Sequence, residues 1–180
     1  MKSRRFLVVA LAVAAMLLVP TVLSADTNNS TQVADRLSTF QQQAAEVSRD
    51  AETLLSLTRS DQVSWQSHAN YLSDLRQGVN DMGRMLAELE EMKPQASEAQ
   101  QMAIERARPH LVALAGETGE AINLVRPGRS NPRDPEYKET VADLYLHADG
   151  LYQTVDTIVD YHNADDRLHN LEPAHGSSLN

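Results

Sequence analysis

Near the C-terminal end of the chain, His162, Asp165, Asp166 and His169 are spaced by three, four and seven residues. Residues at those spacings share one side of a helix, and imidazole combined with carboxylate suits zinc, copper or nickel. The pattern admits a divalent metal site. Metal centres in helical bundles, however, ordinarily draw ligands from several helices. The same four residues also serve as a plain solvated helix end, where a cationic His169 meets the negative pole of the helix dipole. The expectation is no cofactor, with a divalent transition metal or haem as the alternative.

Haem requires two axial side chains that meet inside the protein. In an antiparallel bundle, His68 and His162 belong to opposite ends and cannot share one. Met82 and Met85 come closer to His162 in that arrangement, but methionine at helical spacing is also ordinary filler for an irregular core. His110 and His147 flank the apolar stripes of their helices at comparable depth. His68 is central in its stripe beside Trp65, and a buried imidazole needs a partner; Asp61 or a loop carbonyl is the expected one.

Arg126, Arg129 and Arg133 form a basic loop in an acidic chain, suited to gripping a carboxylate or phosphate or to offsetting the end of the preceding helix. Tyr145 and Tyr152, seven apart, form either an exposed ledge for a partner or a cover over a neighbouring helix with hydroxyls reaching water. Neither Gly-x-Ser-x-Gly nor His-Glu-x-x-His occurs, and Gly116-x-x-Gly119 lacks the strand-turn-helix setting of a phosphate loop. No enzymatic activity is expected.

These side chains are positioned by four amphipathic segments. In each, apolar residues recur at alternating steps of three and four, the spacing that lets a helix bury one stripe. The first stripe is Val33, Leu37, Phe40, Ala44, Val47, Ala51, Leu54 and Thr58. The second is Trp65, His68, Leu72, Leu75, Val79, Met82, Leu86 and Leu89. The third is Ile104, Ala107, Leu111, Leu114, Thr118, Ala121 and Val125, and the fourth is Tyr137, Val141, Leu144, Ala148, Leu151, Val155, Ile158 and His162.

Boundaries follow from capping chemistry. The first helix is expected to start at Ser30 or Thr31, each able to cap it. Lys93 and Pro94 close the second helix, and Ser97 with Gln100 reads as a capping box for the third. Asp134 followed by Pro135 is a start signal for the fourth. Pro109 falls inside the third helix on the side away from its stripe, where it removes one backbone hydrogen bond. Thr58 to Gln62 contains neither Gly nor Pro, so a fusion of the first two helices into one rod is the alternative to the expected turn there.

Short connections between helices of similar length imply an all-α, antiparallel, up-down-up-down four-helix bundle over residues 31–169. Residues 25–30 are expected to be flexible and 170–180 disordered. Residues 1–24 have the order of a cleavable export signal: Lys2, Arg4 and Arg5, an apolar run from Phe6, then Pro20 and a small-residue exit ending at Ser24. The Arg4-Arg5 pair also resembles the twin-arginine type of signal. An uncleaved anchor is the alternative, since the apolar run approaches the length of a membrane span; after cleavage no stable span remains.

The chain has no cysteine, which excludes disulfides, thiolate metal sites and covalently attached haem. Its formal charge is −9, and loss of Lys2, Arg4 and Arg5 with the signal takes it to −12. Phosphate backbones are bound through neutralising cations, so nucleic acid is not an expected partner. These features together describe a periplasmic or secreted helical bundle, a binding or structural module without catalysis. Its expected partner is an envelope protein or small ligand that the sequence does not name, with a metal- or haem-binding bundle as the alternative.

Overall fold

The computed structural model describes residues 23–60, 63–125 and 132–171; side chains ahead of Thr31 and, Ala164 apart, beyond Tyr161 fall outside that description. The expected export signal lies almost wholly outside it. Four α-helices account for nearly all of the described chain: α1 Leu23–Leu57, α2 Trp65–Met92, α3 Glu98–Leu124 and α4 Pro135–Leu171. A short 3-10 turn, Lys93–Gln95, joins α2 to α3. Among the described residues there is no strand.

Most stripe positions are buried, while Trp65 and Ile158 are half-buried and the side chain of His162 lies outside the description. Phe40, Ala51 and Leu54 of α1, Leu72, Leu75, Met82 and Leu89 of α2, Leu114 and Ala121 of α3, and Val141, Leu144, Leu151 and Val155 of α4 have no accessible surface. Together with their buried neighbours they form one core cluster running the length of the helices. Each fully buried Leu or Phe contributes roughly 1.5–3 kcal/mol by leaving water, which makes this core the main stabilising element of a chain that has no disulfides. Helix α1 packs on α2, α2 on α3, α3 on α4, and α4 closes the ring against α1. The four helices therefore pack as a bundle.

Local sequence explains most of the boundaries. Ser97 accepts from the Gln100 amide at 3.3 Å while the Gln100 side chain accepts from the Ser97 amide at 2.9 Å, completing the capping box. At the start of α4, the Asp134 carboxylate accepts from the Glu136 amide at 3.1 Å. Pro109 is exposed, and α3 continues through it.

One boundary differs from expectation. Helix α1 begins at Leu23, ahead of Ser30 and Thr31; nothing in Asp26 to Asn29 is Gly or Pro, so capping potential at Ser30 does not by itself stop a helix from starting earlier. Between α1 and α2 the chain does break, but the cap of α2 is Ser64, whose hydroxyl accepts from the Ser67 amide at 3.3 Å.

Ion pairs tie neighbouring helices near their surfaces. Arg36 of α1 meets Glu88, late in α2, at 2.5 Å. Arg108 of α3 pairs with Glu90 of α2, and Lys93 pairs with Glu105. Exposed pairs of this type are worth about 0–1 kcal/mol each, so they align helices more than they hold them. A closer fit occurs at Gly78, where a Cβ atom would lie 2.8 Å from Cγ2 of the buried Val47. Glycine is what allows α1 and α2 to approach there.

Candidate functional site

The most buried polar pair lies between α2 and α4. His68 and Tyr137 are 0% and 1% exposed, with His68 Nδ1 3.0 Å from the Tyr137 hydroxyl oxygen and the rings edge to face. Burial lowers the His68 pKa from its ordinary value and raises that of the Tyr137 phenol, so both groups are neutral. The phenol is best assigned as donor to Nδ1. That leaves one buried atom, His68 Nε2, without a partner among the described residues; the opposite assignment would strand the phenol proton as well. Tyr137, an ordinary stripe position in the sequence, is thus a partner of His68, whereas the expected Asp61 lies outside the described residues.

A second cluster forms where α3 faces α4. His147 Nδ1 lies 2.9 Å from Glu117 Oε1 and 3.0 Å from the carbonyl oxygen of Asp143, one turn earlier on its own helix. Both neighbours are acceptors, so the proton of a neutral His147 belongs on Nδ1. Glu117 Oε2 is buried with no partner among the described residues. Burial is the largest influence on this carboxyl and, with the charges of Asp143 and Glu120, raises its pKa against the opposing pull of His147.

Next to His147 stands His110 of α3, with ring centres 6.1 Å apart and planes tilted by 58°. Its Nδ1 is buried and unpartnered among the described residues. The ring rests against Gly150 of α4, where a Cβ would lie 3.0 Å from His110 Cε1 and 3.2 Å from Nδ1. An open groove of about 340 Å³ runs from His110 past Gly150 to Thr154 and Thr157.

The residues singled out by sequence fall as follows. His162, Asp165, Asp166 and His169 belong to the last turns of α4, and their side chains lie outside the description. Arg126 and Arg129 also fall outside the described residues, whereas Arg133 is exposed just before α4. Tyr145 and Tyr152 are half-buried and pack against the core cluster. The Tyr152 hydroxyl bonds to Asp156, whose negative charge and hydrogen bond raise the phenol pKa; Asp156 also accepts from Gln41 of α1 at 2.7 Å. Among the described residues, no group of three His, Asp or Glu side chains is arranged to hold a metal.

The cluster of His110, Glu117 and His147 did not stand out in the sequence as a unit. One signal was present. Each of the three directly precedes a stripe residue, Leu111, Thr118 and Ala148 respectively, and that shared offset brings them to facing sides of α3 and α4. Comparison with protein-family models, curated proteins and solved structures gives no match for this chain.

Proposed function

We propose that this chain is an exported helical bundle acting as a binding or structural module of the cell envelope, without catalysis of its own. The observation that carries the reading is the filled interior: apolar side chains from all four helices occupy the bundle along its length. Function is thereby left to outer faces, which is how a scaffold or docking module works. The helices run up, down, up and down in this reading. Support comes from the order of contacts between α1 and α2: Arg36 pairs with Glu88, whereas Val47, later in α1, faces Gly78, earlier in α2.

Export rests on the order of charge, apolar run and small residues in positions 1–24. The test is to express the full-length chain in a bacterium and determine the mass and N-terminal sequence of the protein in each cell fraction. A periplasmic or released product beginning at Ala25 is the expected result. Full-length protein starting at Met1 and confined to the cytoplasm would overturn the export reading, and the same protein in the membrane fraction would favour the anchored form. An absorption spectrum of the exported product with a Soret band would replace the module by a haem carrier.

A further inference from the structure

We infer that His110 and His147 together form an exchangeable binding site for one borderline divalent cation, Zn²⁺, Ni²⁺ or Cu²⁺, on the face where α3 meets α4. One nitrogen of each imidazole supplies a bond, and solvent completes the coordination shell. The inference concerns these two helices alone and holds whether or not the chain is exported.

Geometry is the first support. Two imidazoles bound to one ion at 2.0–2.1 Å per bond have ring centres roughly 5–6.5 Å apart, depending on the angle at the metal. The observed separation of 6.1 Å falls near the wide end of that range, and the 58° tilt shows that the rings are not stacked flat. Imidazole is the protein ligand that zinc, nickel and copper share.

The setting of His147 is the second. With Nδ1–H directed to Glu117 and the Asp143 carbonyl, its Nε2 carries the lone pair that a metal needs. A carboxylate behind an imidazole is the arrangement by which metal-binding histidines fix their tautomer and gain basicity. Glu117 is accordingly a positioning residue, and together with Asp143 it adds negative charge favourable to a dication.

His110 is the third. Its Nδ1 is buried without a partner among the described residues, and a buried polar atom in that condition calls for a polar ligand. The ring is seated against Gly150, a position where any side chain would displace it. An open groove along Gly150 and Thr154 adjoins His110. Arg106 also lines that groove, which disfavours a cation and suits weak, reversible occupancy.

The test is calorimetric titration of the full chain with ZnCl₂, NiCl₂ and CuCl₂. Because His162 and His169 are a competing source of imidazole, a His162→Gln/His169→Gln variant is titrated alongside His110→Gln and His147→Gln. One site is expected in the unsubstituted chain and in the His162→Gln/His169→Gln variant, and it is lost in each of the other two. Glu117→Gln should weaken binding by about tenfold or more. Thermal melts in metal-free buffer verify that each variant is folded. In the unsubstituted chain, Zn²⁺ should shift the ring NMR signals of His110 and His147 together while leaving those of His68 in place, a readout that needs no variant. Binding unaffected by His110→Gln or His147→Gln, loss of binding in the His162→Gln/His169→Gln variant, or no response of the two ring signals to any of the ions would each overturn the inference.

Discussion

His68 Nδ1 lies 3.0 Å from the Tyr137 hydroxyl oxygen, joining the first turns of α2 and α4, although these two helices do not pack side by side among the described residues. Most of the other helix contacts run around the ring. This bond is the polar crosspiece of the interior.

Tyr137→Phe removes the donor and strands Nδ1 in an apolar setting. The expected cost is about 1–3 kcal/mol, read as a lowered midpoint in a urea melt with unchanged slope. A midpoint equal to that of the unsubstituted chain would show that the bond is not formed in solution.

The same pair predicts a pH dependence. Burial lowers the folded-state pKa of His68, so the unfolded chain binds a proton first as pH falls through about 6.5. The stability associated with neutral His68 is complete above that value and declines, by up to about 1.4 kcal/mol per pH unit, until the folded-state pKa is reached. Glu117 has the opposite sign, since a raised carboxyl costs stability as pH rises through its folded-state value. Urea melts between pH 5 and pH 8 of the unsubstituted chain and His68→Gln separate the two effects: the variant should lose the decline below about 6.5. A parallel pair of curves would contradict the assignment.

Leu72 and Leu151 have no accessible surface and come from different helices of the core. Leu72→Ala or Leu151→Ala should each cost about 2–5 kcal/mol. A loss of under about half a kilocalorie in a denaturant melt would mean that the stripe is not the core.

Two glycines of α2 should respond oppositely to alanine. At Gly83 a Cβ would meet nothing within 4 Å, so Gly83→Ala should stabilise by about 0.4–1 kcal/mol. At Gly78 the new methyl would collide with Val47; overpacking outweighs the helix-propensity gain, for a net loss of about 1–2 kcal/mol. Thermal melts of both variants settle the signs, and equal shifts would refute the close approach of α1 and α2.

The sequence made the four stripes legible because burial imposes one repeated spacing on many residues, so Leu37, Leu75, Leu114 and Val141 each reinforce the others. Capping was legible at Ser97 and Asp134, where side chain and following residues both favoured a start. It failed at Ser30, since a good cap permits a helix to begin without forbidding an earlier turn. The contacts between His68 and Tyr137, and among His110, Glu117 and His147, depend on which helices become neighbours and on their axial alignment. Neither is encoded in the spacing of a single segment. Tyr137 in particular looked like any other apolar stripe position, and only the opposing helix reveals the use of its hydroxyl.

Val47 fits α2 at Gly78 as a peg fits a notch. One turn away in either direction α2 offers Asp74 or Met82, neither of which leaves that space. Telescoping of α1 along α2 is therefore blocked in both directions, and a push or pull applied to one rod is passed to its neighbour as a unit instead of being dissipated by slippage.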